Sequence, residues 1–125
     1  MIYLDTHVVL WLFARKGEGL SVRALNLIES EAELLISPMV LLELDYLHEI
    51  GRTTLSSEPV YDYLYERIGL KACKHSFTDV IRAAAKQSWT RDPFDRIITA
   101  QAAMGSNNLV TKDNGIREHY EYAVW

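Results

Sequence analysis

Asp5, Glu43, Asp95 and Asp113 are four carboxylates that each lie at or near the end of a short apolar run, or early in the helix that follows it. MIYL leads into Asp5 and LLISPMVLL into Glu43. Arg91-Asp92-Pro93-Phe94-Asp95-Arg96 opens an Ile- and Ala-rich segment, and NLVTK leads into Asp113. The four are far apart in sequence, so only a fold that gathers chain segments at one edge can bring them together. Carboxylates so gathered repel one another unless a cation neutralises them, and as hard oxygen donors they suit Mg²⁺ or Mn²⁺. Four scattered His and one Cys offer no comparable ligand set for structural zinc. One or two divalent ions held this way can activate water for in-line attack on a phosphodiester.

Most of these acids also have a plainer reading. Asp92 followed by Pro93 and Asp95 has the form of a helix start, with Asp as N-cap, Pro at the first helical position and an acid at the third. Asp113 before Asn114-Gly115 suits a turn or cap, and Asp5 suits the cap of the first helix. Glu43 has no such role. Met39, Tyr46, Leu47 and Ile50 lie on its side of a helix at spacings of three, four and seven, which predicts a carboxylate in an apolar stripe that must be paired, protonated or metal-bound. One metal site accounts for all of these acids together.

The elements that would position them alternate along the chain. Strands are predicted at residues 2–4, 34–36, 70–73, 109–111 and 122–124. Between them fall helices at 6–13 with Asp5 as cap, at 22–28 after Ser21, and from Ser37-Pro38 to about Ile50 with a stop at Gly51. Further helices run from Glu58-Pro59 to Ile68 with a stop at Gly69, from Ser76 through Lys86, from Asp92-Pro93 to near Gly105, and over 114–119. Short apolar strands without period-two alternation, separated by helices, predict an α/β fold with a mainly parallel sheet of four to five strands covered on both faces. Ligands bind such sheets beyond the carboxyl ends of the strands, where Asp5 and Asp113 fall.

Bulk properties fit one domain spanning residues 1–125. Hydrophobic residues make up 49% of the chain and charged residues 24%, with no low-complexity tract or linker. The formal net charge is −4. Removing the clustered acids leaves a slightly positive remainder, so the acidity is compatible with a phosphate-bearing substrate once a metal is bound and argues against a broad basic surface for long duplexes. Cys73 is expected as a small buried hydrophobe. With no signal-peptide pattern and no apolar stretch of transmembrane length, a cytoplasmic location away from the membrane is expected.

The segments MIYLDTHVVLW, SPMVLLEL, RDPFDRIITAQA and LVTKDNGIREH, which together extend over essentially the whole chain, resemble PIN-domain ribonucleases, specifically the VapC-type toxins of VapBC (type II) toxin–antitoxin pairs. The resemblance implies an α/β/α sandwich and a Mg²⁺- or Mn²⁺-dependent endoribonuclease leaving 5′-phosphate and 3′-hydroxyl ends. By position it makes Asp5, Glu43, Asp95 and Asp113 the catalytic, metal-holding acids, with Asp92 an additional acid. It places the Thr6 and Thr111 hydroxyls beside them, Thr111 being alternatively a β-branched strand residue. Arg96 and Lys112, each adjacent in sequence to one of these acids, are candidates to contact substrate phosphate; the alternatives are that Arg96 neutralises Asp92 and that Lys112 is a solvated loop charge. The resemblance further implies an RNA substrate such as tRNA or rRNA, a cognate antitoxin protein that occupies the acidic pocket, and a homodimer. Trp11, Arg15 and Lys16 are read as a rim for RNA or as core and interface residues. Tyr61, Tyr63 and Tyr65 cannot all face inward from one helix.

Rival readings are a PIN nuclease of RNA maturation, which would share every acid, and a non-catalytic PIN module that holds RNA or protein. A haloacid-dehalogenase-type phosphatase also begins with strand-then-Asp, but it requires an acid where His7 stands.

Overall fold

The computed structural model describes residues 1–30 and 32–125. Its centre is β1 (Ile2–Leu4), three residues buried on both faces. β1 pairs in parallel with β2 (Leu34–Ile36) on one side and with β4 (Asn108–Val110) on the other. β3 (Lys71–Ala72) extends the sheet beyond β2, and β5 (Ala123–Val124) extends it beyond β4, giving the all-parallel order β3-β2-β1-β4-β5. Parallel neighbours need a crossover, and helices supply every one. α1 (Thr6–Arg15) and α2 (Val22–Glu29) join β1 to β2, and α3 (Pro38–Glu49) and α4 (Ser57–Ile68) join β2 to β3. α5 (Phe77–Ala85) and α6 (Pro93–Ala103) carry the chain back across the sheet to β4, and α7 (Asn114–His119) precedes β5. This is the α/β/α arrangement, with five strands.

The chain first builds outward from β1 to β3 and then resumes at β4 on the other side. The strand order therefore reverses at β1 and β4, which opens a crevice beyond their carboxyl ends. Asp5 and Thr111 are the residues that emerge there.

Most element boundaries follow the local signals. Ser21, Ser37 and Ser76 accept hydrogen bonds from Ala24, Met39 and Asp79 amides, and Gly69 closes α4 at φ +70°. Two departures have physical causes. α4 starts at Ser57, ahead of the Glu58-Pro59 signal. Asp45 of α3 reaches across to accept from the Ser57 amide at 2.8 Å and its hydroxyl at 2.9 Å, so the cap comes from another helix. Pro59 then lies in the first turn, where an amide hydrogen has no intrahelical partner to lose. Cys73 is half-buried and polar in use, correcting the expectation of a small core hydrophobe. Its Sγ accepts from the Tyr3 hydroxyl at 3.0 Å and stands 3.0 Å from His75 Nδ1.

The three tyrosines of α4 divide as their spacing requires. Tyr61 packs against the core and accepts the edge amide of Ala72 at 3.1 Å, Tyr63 packs edge-on against Phe13, and Tyr65 is exposed. Among the described residues, no helix is long and apolar enough to cross a membrane.

Candidate active site: the acidic edge of the sheet

Asp5 leaves β1 with its amide still bonded to the Val110 carbonyl at 3.0 Å, so the sheet ladder sets its position. One carboxylate oxygen accepts from the Thr6 amide at 2.8 Å, capping α1. The other accepts from the Thr111 hydroxyl at 2.6 Å. That hydroxyl in turn accepts from the Asp113 amide at 3.0 Å, and Asp113 caps α7 through the Ile116 amide at 2.9 Å. A single buried relay thus ties the ends of β1 and β4 together, and Asp5 and Thr111 are both removed from solvent. Thr111 lies just past β4, and its hydroxyl is the partner of the acids.

Capping and clustering are compatible. Asp92 caps α6 through the Phe94 amide at 2.8 Å and the Asp95 amide at 3.2 Å, using one oxygen for both. Asp95 lies in the first turn that this cap stabilises, and Glu43 lies in the second turn of α3. Tyr46 and Phe94 stack at 6.2 Å and 18°, holding these two helix ends side by side.

The electrostatics show that the acids share one neighbourhood. Burial, then the charges of Asp92, Asp113, Asp5 and Glu43, push the Asp95 carboxyl up to about 7. Burial raises Glu43 above its ordinary range, with further upward pushes from Asp5 and Asp92 and opposing pulls from the Thr6 hydroxyl and His7. Burial likewise raises Asp5, against the pull of its bonds to Thr111 and Thr6 and the charge of His7, with Asp113 adding to the rise. Desolvation and like charge both favour the protonated forms of Asp5, Glu43 and Asp95.

Oxygen donors, mutual repulsion and one orphaned group fit a divalent cation. Thr6 Oγ1 is buried near enough to Glu43 to favour its ionised form, yet makes no hydrogen bond of ordinary geometry among the described residues. Among the described residues, no three acidic, His or Cys side chains stand close enough to chelate one ion as placed. Mg²⁺ tolerates that spacing, because it keeps several waters and takes only one or two carboxylates directly.

The remaining expectations are placed as follows. Met39 and Leu47 are half-buried, but Tyr46 and Ile50 are exposed, so the side of α3 bearing Glu43 is the rim of the molecule and not the core stripe that its spacing suggested; Val40 and Leu44 face the core. Arg96 is committed at Nε to the Gln87 carbonyl, 2.9 Å away, where it braces the connection between α5 and α6. Lys112 projects over two indoles, with Nζ 5.7 Å from the Trp11 ring and 5.8 Å from Trp125. Gly115 was missed as a site residue: a Cβ there would lie 3.2 Å from Asp113 Oδ1 and 3.3 Å from the Trp89 ring, which itself stacks on His119 at 4.9 Å. The Asn-Gly pair was its only sequence signal.

A family model for the PIN domain matches residues 2–122. The chain therefore belongs to the PIN-domain family. Within that family it groups with the VapC type, being 32% identical over 121 residues to Ribonuclease VapC22 of Mycobacterium tuberculosis, across 94% of this chain and 91% of that protein. The same fold appears in a toxin–antitoxin complex from Klebsiella pneumoniae, at a TM-score of 0.69 and 16% identity over 100% of this chain and 97% of that one. It appears again in VapBC2 of Rickettsia felis bound to a promoter DNA fragment, at 0.67 and 18% identity over 99% and 96%.

Proposed function

We propose that residues 1–125 act as one domain, a divalent-metal-dependent endoribonuclease that serves as the toxin of a type II toxin–antitoxin pair in the cytoplasm. The reading is supported by Asp5, Glu43 and Asp95, from three separate segments, whose carboxyls are all raised by burial and by neighbouring acids, and by the relay that ties Asp5 through Thr111 to Asp113. Those four hold Mg²⁺ or Mn²⁺, and Asp92 adds charge through the oxygen that its cap does not use. Such an ion, when bound, supplies Lewis acidity and offsets the negative charge that otherwise excludes RNA phosphate. Asp5 is fixed by Thr6 and Thr111 and cannot swing, so it sets the position of the site. Asp95, which accepts no hydrogen bond, is the carboxylate placed to accept a proton from the attacking water. Lys112 meets the substrate backbone, and Arg96 orients α6 more than it contacts phosphate.

The named relative is a ribonuclease, and several similar folds are toxin–antitoxin complexes, which supports an antitoxin partner. A homodimer is supported by an exposed apolar stripe, Leu42, Tyr46 and Ile50 on α3 together with Phe77 and Ile81 on α5, two helices that flank α6. Residues four apart line one side of each helix, the kind of exposed apolar surface that a second copy covers.

Induction of the wild-type chain beside Asp95→Asn, with growth followed and total RNA read for new 5′-phosphate ends, tests the proposal. Arrest with discrete cleavages, both abolished by Asp95→Asn, is the expected result. Arrest that persists in the variant would transfer the effect from cleavage to binding. Cleavage by the purified protein that survives chelation would remove the metal from the reading.

A further inference from the structure

Asp95 and Asp113 stand at the starts of α6 and α7, two helices that scarcely touch each other. The segment joining α5 to α6, residues 86–92, is fastened to both. Arg96 Nε of α6 donates to the Gln87 carbonyl at 2.9 Å, and the Asp92 amide donates to Thr90 Oγ1 at 3.2 Å. From the middle of this segment Trp89 turns to α7. Its Nε1 donates to Gln87 Oε1 at 2.7 Å, and its ring lies on that of His119, 4.9 Å between centroids and 5° from parallel. His119 is the last residue of α7, and its Nδ1 donates to the Gly115 carbonyl one turn back at 2.8 Å, which fixes the imidazole along the helix. In the first turn of α7 a Cβ on Gly115 would lie 3.3 Å from Trp89 Cζ3 and 3.2 Å from Asp113 Oδ1. Trp89 is half-buried and packs against the core.

Glycine is unfavourable inside a helix relative to alanine, and Gly115 has no positive φ to demand it. What it provides is room: the indole reaches the first turn of α7 immediately beside the carboxylate that caps it. Trp89 thus contacts α7 at both ends, at Gly115 and at His119, while three residues further on the same segment becomes the cap of α6. A cation held between carboxylates on separate elements is bound only as tightly as their separation is set beforehand. Groups that fix the ligands from behind commonly change metal affinity by about one to two orders of magnitude. We infer that Trp89 is a positioning residue: clamped by Gly115 and His119, it sets the separation of Asp95 and Asp113, and with it the metal affinity of the acidic edge, while touching neither metal nor substrate. The inference rests on the metal-site reading for its consequence and on the Trp89 contacts alone for the brace.

The test is Mn²⁺ binding to the full chain without RNA, read from the free-ion signal in electron paramagnetic resonance. Trp89→Leu raises the Kd about tenfold. Trp89→Phe keeps a flat ring for His119 and stays within about threefold of wild type. Gly115→Ala also raises the Kd; alanine favours the helix itself, so a weaker site there traces to a displaced indole or carboxylate and not to a looser helix. The Mg²⁺ needed for half-maximal cleavage rises by the same factor in each variant, and the rate at saturating Mg²⁺ recovers. Circular dichroism melts establish folding, and if Trp89→Leu does not fold, Gly115→Ala decides. An unchanged Kd in both variants, or a loss in Trp89→Phe equal to that in Trp89→Leu, overturns the inference. Hydrogen exchange of the metal-free protein separates the brace from the metal reading. The Ile116 amide, bonded to Asp113, exchanges severalfold faster in Trp89→Leu, while the Ala24 amide, bonded to Ser21 at the start of α2, does not change. If the wild-type chain binds no Mn²⁺, the metal reading falls and exchange decides alone: faster exchange at Ile116 keeps the brace, and unchanged exchange overturns it.

Discussion

Asp95 and Asp5 sit in one cluster but respond differently to loss of charge. Asp5 is buried yet receives two hydrogen bonds, whereas Asp95 is crowded by four acids and receives none. In the folded chain without metal, Asp95 binds its proton up to about pH 7, against an ordinary carboxyl value of 3.8. The folded state then holds more protons than the unfolded one between those limits. The contribution is fully present below the ordinary value and is lost as pH rises through about 7. Metal-free protein is therefore expected to melt several degrees higher at pH 5 than at pH 8, and Mg²⁺ to restore the loss at pH 8 by binding the folded state alone. Asp95→Asn should raise the metal-free melting temperature at pH 8 and flatten the pH dependence; Asp5→Asn should not raise the melting temperature, because the amide cannot reproduce both of the carboxylate's accepted bonds. Thr111→Val, nearly isosteric, would leave a buried Asp5 oxygen without its donor and the Asp113 amide without its acceptor. A loss of about 1–3 kcal/mol in urea unfolding is expected, together with a large fall in cleavage. A loss below ~0.5 kcal/mol would mean that the relay is not a structural tie.

At the scale of elements, the site is a set of helix starts. α1, α6 and α7 all begin at the acidic edge with an Asp as cap, and their positive ends favour the carboxylates that cap them. Each of these aspartates caps its helix, which leaves it free to serve the proposed metal site as well. Asp92 allows the two to be separated. Asp92→Ala removes the cap and is expected to cost about 1 kcal/mol in stability, while Asp92→Ser keeps a capping oxygen and should cost only a few tenths. Reduced cleavage in Asp92→Ser, at unchanged stability, would show that the charge contributes to catalysis. Unchanged cleavage would leave Asp92 as a cap alone. Helix-to-helix ties such as Asp45 to Ser57 and Arg96 to Gln87 hold these starts in register without entering the chemistry.

For the whole molecule, the exposed Leu42, Tyr46 and Ile50 beside Phe77 and Ile81 leave an apolar face that a second copy would bury. The double substitution Tyr46→Glu and Phe77→Glu places like charges in that face and is expected to turn a dimer into a monomer by light scattering, with the melting temperature little changed at high protein dilution. A wild-type chain that is already monomeric at micromolar concentration would remove the dimer from the account.

Element types and order were legible in the chain because they are local. Pro after Ser or Asp starts a helix, Gly in the left-handed region ends one, and short apolar runs bounded by such signals become buried strands. The placement of Asp5 and Asp113 was legible too, since a carboxylate following an apolar strand falls at a parallel sheet's carboxyl edge. Tertiary contact decided the rest. The Glu58-Pro59 start gave way to a cap from Asp45, twelve residues before Ser57. Arg96, adjacent in sequence to an acid, was drawn to a loop carbonyl. Cys73 became a hydrogen-bond acceptor because Tyr3 and His75 reach it. Helical spacing put Glu43 in an apolar stripe, but whether a stripe is core or rim depends on what packs against it, and here the core took Val40 and Leu44. Trp125 met Trp11 and Lys112 only because β5 lies beside β4. Caps and strands follow from interactions within a few residues, whereas the partner of a long side chain is set by which remote segment the sheet order brings within a few ångströms.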